Sequence, residues 1–366
     1  MQFIKSDINL DFIGKRKIAF AVSLALITVS FLTLLVHKGP KYGVDFAGGS
    51  LIQVQFDQPV TIASVKAGLN NLGVDDPTVQ TFGADGDNEY LIRTASLVAD
   101  DLSSDDAADP SNFTASLKTQ LSQSTGQTAE IRRVEMVGPQ VGKDLREKAL
   151  LAMFYALLFI TIYISGRFEL KWLISAVIAL ILIAVLMGAR KFFALFGVDE
   201  TMVFLIPIAL IASLILFWIL KLQYAMGAIV ALVHDVFITV GVFSLFNIEF
   251  SLPIIAAILT IIGYSLNDTI IVFDRIRENM KKMQKKSLSA IINRSINETL
   301  SRTILTSITT LLVVVTLLIL GGSIIFDFAL ALFIGILIGT YSSIFVASPI
   351  LLAWQGRQTP AAADPA

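Results

Sequence analysis

Long apolar runs separated by short polar stretches dominate the chain. A helix that crosses the hydrocarbon core of a bilayer needs about 20 mainly apolar residues. Several runs approach that length, and we predict spans at residues 18–36, 149–165, 172–189, 202–220, 224–246, 252–273, 303–320 and roughly 328–352. The pattern therefore indicates a polytopic α-helical membrane protein with about eight spans.

The polar segment between the first two runs is patterned differently. Its short apolar runs alternate in part, and Gly or Pro punctuates the joints, which is typical of strands and turns. We predict strands at Leu51–Phe56, Thr78–Phe82, Glu89–Thr94 and Ala129–Val137, and helices at Ile62–Leu72 and Ser111–Gln123. This order predicts an α+β domain of the split βαβ, ferredoxin-like type.

The distribution of basic residues predicts the orientation, because cytoplasmic loops are enriched in Lys and Arg. Lys15, Arg16 and Lys17 precede the first span, which is too long for a signal peptide and lacks a cleavage site. A second basic cluster lies between the sixth and seventh spans: Arg275, Arg277, Lys281, Lys282, Lys285, Lys286, Arg294 and Arg302. An even number of helices places both clusters in the cytoplasm, whereas Arg190 and Lys191 would lie outside.

This orientation divides the chain into four parts. They are a cytoplasmic N-terminus with the first helix (1–39), an extracytoplasmic ferredoxin-like domain (40–147), a transmembrane bundle (148–354) and a cytoplasmic tail (355–366). Both termini are expected in the cytoplasm. The lysine-rich segment 281–286 is expected to rest against anionic headgroups of the lipid bilayer.

Composition supports this class and excludes several others. Hydrophobic residues make up 55% of the chain and charged residues 16%, and the mean hydropathy is +0.75. The absence of cysteine excludes disulfides and thiolate chemistry, and His37 and His234 are too far apart for a zinc motif. The outer segment carries no histidine and no Gly-rich phosphate loop. We therefore predict no enzyme activity, no cofactor or metal, and no nucleic-acid partner.

Asp268 is the residue that points most directly to function. It lies within the otherwise apolar span 252–273, and a carboxylate at membrane depth by default marks an ion or proton pathway. Thr260, Tyr264 and Asp268 follow one another at a spacing of four residues, and Asn267 follows Tyr264 by three. The four side chains therefore share one face of the helix. The coupling ion can be H⁺ or Na⁺, because a carboxylate with nearby hydroxyls serves either.

A matching cation lies at the start of the next apolar run. We expect Arg302 to begin its helix at the cytoplasmic surface and to extend inward to meet Asp268. Thr306 and its neighbours Thr303 and Thr310 continue a polar stripe on that helix, so the two helices would enclose a polar seam. In the alternative reading, the pair is a fixed structural lock or Arg302 is only an orientation anchor.

Two further features of the bundle carry hypotheses. His234 and Asp235 fall near the middle of the span 224–246, and histidine titrates close to physiological pH. The pair either relays protons or satisfies polar groups of neighbouring helices. Gly335 and Gly339 form a small-xxx-small pair, which predicts close helix packing in the last span.

Five motifs together resemble the SecF family of protein-export membrane subunits. In chain order they are Tyr42–Gly49 (YGVDFAGG), Val137–Gly142 (VGPQVG), Val233–Val236 (VHDV), Gly263–Asn279 (GYSLNDTIIVFDRIREN) and Asn297–Thr303 (NETLSRT). The resemblance implies a six-helix bundle of the resistance-nodulation-division type in the bacterial cytoplasmic membrane, paired with a SecD-like subunit. It also implies action beside the SecYEG channel, where proton-motive force helps preproteins emerge, with proton conduction at the positions of Asp268 and Arg302.

The chain departs from that family pattern between Glu169 and Val233. In the family, the Arg-Phe-Glu motif leads almost directly into the His-Asp helix, but here two more apolar runs intervene. Ala176–Leu180 resembles Ala228–Leu232, which would fit a partial duplication of one hairpin. We predict an extra hairpin near 172–220, which leaves the downstream orientation unchanged.

A second function class stays open at this point. A proton-coupled small-molecule exporter of the same superfamily would also use an intramembrane acid. Such an exporter carries two bundle halves and two large outer domains, whereas this chain offers one of each. The single bundle half and single outer domain favour a subunit that needs a partner. A passive scaffold is a third reading, and it predicts that neutralising Asp268 has little effect.

Overall fold

The structure, a computed structural model, describes residues 9–72, 74, 77–83, 86–94, 110–169, 172–195 and 201–355. The predicted tail 355–366 lies outside the described residues apart from Gln355. In chain order the elements are α1 (Arg16–Val36), α2 (Val44–Ala47), β1 (Gly49–Phe56), α3 (Ile62–Asn70), β2 (Thr78–Phe82), β3 (Glu89–Thr94), α4 (Pro110–Thr125), β4 (Ala129–Val137), α5 (Pro139–Glu169), α6 (Trp172–Leu195), α7 (Thr201–Leu220), α8 (Gln223–Leu245), α9 (Leu252–Lys282), α10 (Leu288–Leu320), α11 (Gly322–Ser342), a π-helical turn (Ser343–Ala347) and α12 (Ser348–Gln355).

The segment 40–147, called the outer domain after its predicted location, forms in its described part a four-stranded antiparallel sheet with two helices on one face. Its strand order is β2-β3-β1-β4, so β1 pairs with both β3 and β4, as in a split βαβ unit. Alternate residues of a strand point to opposite faces. Ile52 and Ile92 therefore pack with Leu69 of α3 and Leu117 of α4 in the core. Their neighbours in sequence, among them Arg93, lie on the face that turns towards the membrane bundle.

Seven helices within the described ranges are long and apolar enough to cross a membrane. The fourth predicted span, 202–220, coincides with α7, whose described apolar stretch Pro207–Leu220 is shorter. The last predicted span is one continuous rod made of α11, the π-helical turn and α12. The fold class is thus a polytopic α-helical membrane protein with one α+β domain.

The second membrane helix begins earlier than its apolar run. α5 starts at Pro139, where proline is favoured because its missing N–H would be unpaired in any case. The boundary predicted at residue 147 consequently falls inside α5. A Cβ at Gly142 would come within 3.0 Å of the Phe46 carbonyl oxygen, and one at Gly48 within 2.9 Å of Pro139 Cα. These glycines let α2 and α5 pack closely where the domain meets the membrane.

The expectation that Arg302 begins its helix is wrong. α9 continues to Lys282 and α10 already begins at Leu288, with the Ser287 side chain accepting a hydrogen bond at its N-terminus. Buried residues at helical spacing, such as Ile292 and Ile296, extend the packed stripe beyond the apolar run. Loss of hydrophobicity marks the end of the membrane, but it does not end a helix.

The extra hairpin packs on the side of the bundle formed by α5 and α8. α6 lies against α5 and α7, and α7 also contacts α8. Ile178 and Leu182 of α6, with Ala209 and Phe217 of α7, are buried in the same core cluster as α8. The hairpin is therefore a packed part of the bundle.

The centre of the bundle is formed by α8, α9 and α11. A Cβ at Gly335 would lie 2.3 Å from Ile261 Cδ1, and one at Gly339 would lie 2.9 Å from Ser265 Cβ. The predicted small-xxx-small pair thus brings α11 against α9, the helix that carries Asp268.

Candidate functional site

Asp268 is buried inside the bundle without a hydrogen bond to one of its oxygens. Its side chain is 2% exposed and lies on α9, about 24 Å along the axis from Leu252 at 1.5 Å per residue. Oδ2 of Asp268 and Oγ1 of Thr303 are both buried and have no hydrogen-bond partner within the described residues. Native proteins rarely leave such atoms unsatisfied, and each case requires an explanation.

Arg302 lies near Asp268 but does not contact it. The guanidinium is close enough for charge–charge attraction, yet no ion pair within 4.0 Å joins the two residues in the described part of the chain. The residue is exposed on the surface of α10. The predicted inward contact is absent because Arg302 stands in the middle of a long helix and points outward from it.

The other predicted seam residues divide between the interior and the surface. The Tyr264 hydroxyl donates to Thr310 Oγ1 at 3.3 Å, which joins α9 to α10. Thr306 Oγ1 bonds to carbonyl oxygens of its own helix, at 3.0 Å from Arg302 O and 2.9 Å from Thr303 O. Asn267 is exposed. The structure thus brings Tyr264 and Thr310 together and leaves Asn267 and Arg302 on the outside of the chain.

The exposed side of α9 carries small and polar residues. Thr260, Gly263 and Asn267 follow one another at helical spacing, and all three are exposed. We call this face the open stripe. A polar stripe at membrane depth is costly against lipid tails, whereas small residues suit close packing against another helix.

His234 and Asp235 form a second buried constellation. His234 Nδ1 lies 2.9 Å from Asp235 Oδ1, and His234 Nε2 lies 3.0 Å from Ser23 Oγ of α1. Ser23 Oγ is in turn 3.1 Å from the Tyr341 hydroxyl of α11. The geometry therefore connects α1, which leads into the outer domain, with α8 and α11.

The same network reaches the helix of Asp268. Ser265 Oγ donates to Asp235 Oδ2 at 2.5 Å, and Ser342 Oγ donates to the same oxygen at 2.7 Å. Ser265 precedes Asp268 by three residues on α9. Both oxygens of Asp235 are satisfied, in contrast to Asp268. No group of three or more His, Cys, Asp or Glu side chains that could hold a metal ion occurs in the described ranges.

Sequence reasoning missed a group of charged residues at the outer end of the bundle. Asp45, Arg93, Glu249 and Asp327 line one cavity between the sheet and the membrane helices. Asp45 belongs to the glycine-rich motif, and Asp327 interrupts an apolar run, so both offered a signal. Arg93 and Glu249 offered none, because only the tertiary fold brings them together.

Family models and known proteins match the regions of this chain that carry these motifs. The family described as protein export membrane protein SecD/SecF, C-terminal, matches residues 117–211 and 197–357, two ranges that overlap within the predicted extra hairpin. The SecD/SecF GG motif matches residues 33–60. Protein translocase subunit SecF of Magnetococcus marinus is 42% identical over 96% of this chain and 94% of its own length. That of Desulfurispirillum indicum is 41% identical over 95% and 92%.

A solved structure supports the same family. The crystal structure of SecDF from Thermus thermophilus, a translocon-associated membrane protein, matches with a TM-score of 0.72 and 31% identity over 97% of this chain. The present chain spans 40% of that SecDF chain. The motifs, the fold and these likenesses agree, and the chain belongs to the SecD/SecF family of protein export membrane proteins, as one of its SecF members.

Proposed function

We propose that this chain is an accessory, non-enzymatic subunit of the Sec protein translocase. It pairs with a SecD-like subunit and acts beside the SecYEG channel on emerging preproteins. The names of the relatives support the translocase assignment, and the SecDF structure supports the SecD-like partner. Membership of this family, together with the single outer domain and half-bundle, disfavours a self-contained exporter.

The open stripe supports the pairing. Thr260, Gly263 and Asn267 face outward, although each is better accommodated against protein than against lipid tails. A SecD-like helix packed on this stripe would enclose the polar seam that the chain alone leaves half open.

Buried Asp268 is the observation that carries the coupling proposal. Its Oδ2 is buried inside the bundle without a hydrogen-bond partner among the described residues, as is Oγ1 of Thr303 on α10, and the charge of Arg302 acts on the carboxylate. Uptake of H⁺, or of Na⁺, neutralises the carboxylate and ends its attraction to Arg302. The packing between α9 and α10 then changes, and passage of the ion resets it. In this way the ion gradient drives repeated changes in the packing of α9 against α10.

The outer domain is attached to the helix that carries Asp268. Asp45 Oδ2 accepts a hydrogen bond of 2.9 Å from the backbone N–H of Leu252, the first residue of α9. Repacking of α9 therefore moves the base of the domain. Alternate tilting lets the domain hold and release an emerging polypeptide on the outer side of the bacterial cytoplasmic membrane, with both chain termini in the cytoplasm.

His234 and Asp235 take a secondary part in this proposal. Their network is buried and runs from α1 through α8 to α9 and α11. A proton that reaches His234 would make both ring nitrogens donors, so Ser23 Oγ would have to accept from Nε2 and its bond with Tyr341 would rearrange. In this way the pair relays the state of the bundle to the helix that leads into the outer domain.

Translocation into vesicles with and without an imposed ion gradient tests the proposal. Asp268→Asn keeps the size of the side chain but cannot cycle its charge, so the gradient-dependent part of translocation should be lost. Asp274→Asn is the matched control, because Asp274 lies six residues further along α9 and pairs at the surface with Arg167 at 2.6 Å. A full gradient response by Asp268→Asn vesicles would overturn the ion-pathway role and favour a passive scaffold.

A further inference from the structure

The outer domain and the membrane bundle enclose a charged cavity of about 300 Å³. The membrane-facing side of the sheet contributes Leu91 and Arg93, and the bundle contributes Glu249 and Asp327. A second, wider cleft of about 830 Å³ adjoins it and shares Arg93 and Asp327. Phe82 of β2 and Phe326 of α11 also line this second cleft. The domain consequently has open space beside the contact that holds it.

One ion pair across this cavity ties the sheet to the bundle. Arg93 Nε of β3 lies 3.1 Å from Glu249 Oε2, in the loop between α8 and α9. Lys41 Nζ lies 3.1 Å from the other oxygen of Glu249. Glu249 thus has two cationic partners, one from the sheet and one from the chain that follows α1.

Asp327 is the acid of this cavity for which the described residues offer no hydrogen-bond or ion-pair partner. It is partly buried near the start of α11, and the charges of Arg93 and Glu249 act on it. No hydrogen bond or ion pair reaches it from the residues that the structure describes. The remaining charges of the cavity are engaged elsewhere, since Asp45 accepts from Leu252 N–H and Arg133 pairs with Glu135.

We infer that Arg93 is a two-position latch that exchanges Glu249 for Asp327 when the outer domain shifts over the bundle. The charge count supports exchange over simple rupture. Among Lys41, Arg93, Glu249 and Asp327, Asp327 is unpaired in the described part of the chain. After exchange Lys41 still neutralises Glu249 while Arg93 neutralises Asp327. Breaking a partly buried pair outright leaves an uncompensated charge, which is much more costly than changing partners.

The two positions attach the domain to different helices. Glu249 lies three residues before α9, the helix of Asp268, whereas Asp327 lies on α11. α11 packs closely on α9 at Gly335 and Gly339. A sliding of these helices against each other therefore changes which acid Arg93 meets. The latch itself is independent of the proposed function, but its use in ion-driven transport rests on it.

Site-directed cross-linking reads the position of the latch directly. The chain has no cysteine, so Phe82→Cys and Phe326→Cys introduce a single pair across the wider cleft. The pair is treated with a short bis-maleimide in native membranes, in the full chain with its partner subunit. Glu249→Gln should raise the cross-linked fraction by roughly threefold or more by shifting Arg93 to Asp327, and Asp327→Asn should lower it. Glu135→Gln is the control, since it removes a charge of the same cavity that Arg93 does not need.

The outcomes separate the latch from its use. Equal cross-linking in Glu249→Gln, Asp327→Asn and the parent would show that Arg93 has one position only and would overturn the inference. If Arg93→Gln abolishes the difference between the two variants, Arg93 carries the exchange. Gradient-driven translocation is then measured in the same vesicles. A cross-linking shift without any change in translocation would keep the latch and reject its role in the proposed function.

Discussion

The Asp45 carboxylate accepts the backbone N–H of Leu252 at 2.9 Å, and so a residue of the outer domain caps the helix of Asp268. The residue in the N-cap position, Ser251, makes no capping bond with its own side chain. Two backbone bonds support the joint, Gly43 N to Phe250 O at 2.8 Å and Phe250 N to Lys41 O at 2.7 Å. The glycine-rich motif is therefore a structural joint between the domain and α9.

The capping role of Asp45 gives a first prediction. Asp45→Ala should destabilise the protein by about 1 kcal/mol, because the N-terminus of α9 loses its side-chain acceptor. Asp45→Asn should be nearly neutral, since asparagine caps as well as aspartate. Thermal unfolding of the purified protein in detergent measures both. Equal destabilisation by the two variants would mean that the charge of Asp45, and not its capping bond, is what matters.

Local patterns were sufficient for most of the secondary structure. The strands Thr78–Phe82, Glu89–Thr94 and Ala129–Val137 have the predicted bounds, because alternation and turn residues act over a few positions. The polar ends of α9 and α10, which form a helical hairpin, were missed because no local pattern identifies them. The many polar residues of this hairpin resemble a loop in sequence. The contacts that hold its two helices together, such as the hydrogen bond from Arg275 to Glu298 at 2.6 Å, form only in the folded chain.

The candidate site was predictable in part. Asp268 is a single carboxylate within an apolar run, and this apolar background predicts its burial. Its relation to Arg302 does not, because that depends on how far α10 extends and which way it is rotated. The two acids beside Arg93 lie on chain segments far apart in sequence, and no local pattern brings them together.

The buried network of Asp235 gives a second prediction. Its carboxylate accepts from Ser265 and Ser342 and contacts His234, so Asp235→Ala leaves three buried polar groups without this partner. We expect destabilisation of about 3 kcal/mol or more, because each buried polar group left without its partner costs about 1–3 kcal/mol.

Thr239→Ala is the control for that variant. Thr239 lies one turn further along α8 and its hydroxyl bonds only the Asp235 backbone oxygen of its own helix, at 2.8 Å. It should cost about 1 kcal/mol. The midpoint of denaturation in mild detergent distinguishes the two costs. Comparable midpoints for both variants would show that the Asp235 network contributes little to holding the helices together.

The open stripe gives a third prediction, about partnership. Gly263 and Gly188 are both exposed helical glycines with no atom within 4 Å of an added Cβ. Gly263→Trp should abolish co-purification of the SecD-like subunit, because a large side chain prevents a helix from packing on the stripe. Gly188→Trp, on the extra hairpin, should leave the complex intact. Affinity purification from native membranes measures the ratio of the subunits, and loss of the partner only in the Gly188 variant would place the interface on the hairpin.

Arg302 gives the last prediction, because the structure separates its role in stability from its role in coupling. The side chain is exposed and has no ion pair with Asp268, so Arg302→Ala should change the stability of the isolated chain by no more than about 0.5 kcal/mol. The same variant should lose the gradient-dependent part of translocation, since the charge that attracts Asp268 is gone. Arg294→Ala is the control, as Arg294 is also exposed on α10 and pairs with Glu298 at 2.8 Å. It should keep the gradient response. If Arg302→Ala instead unfolds the chain while the surviving fraction still responds to the gradient, Arg302 is a structural anchor and the seam conducts without it.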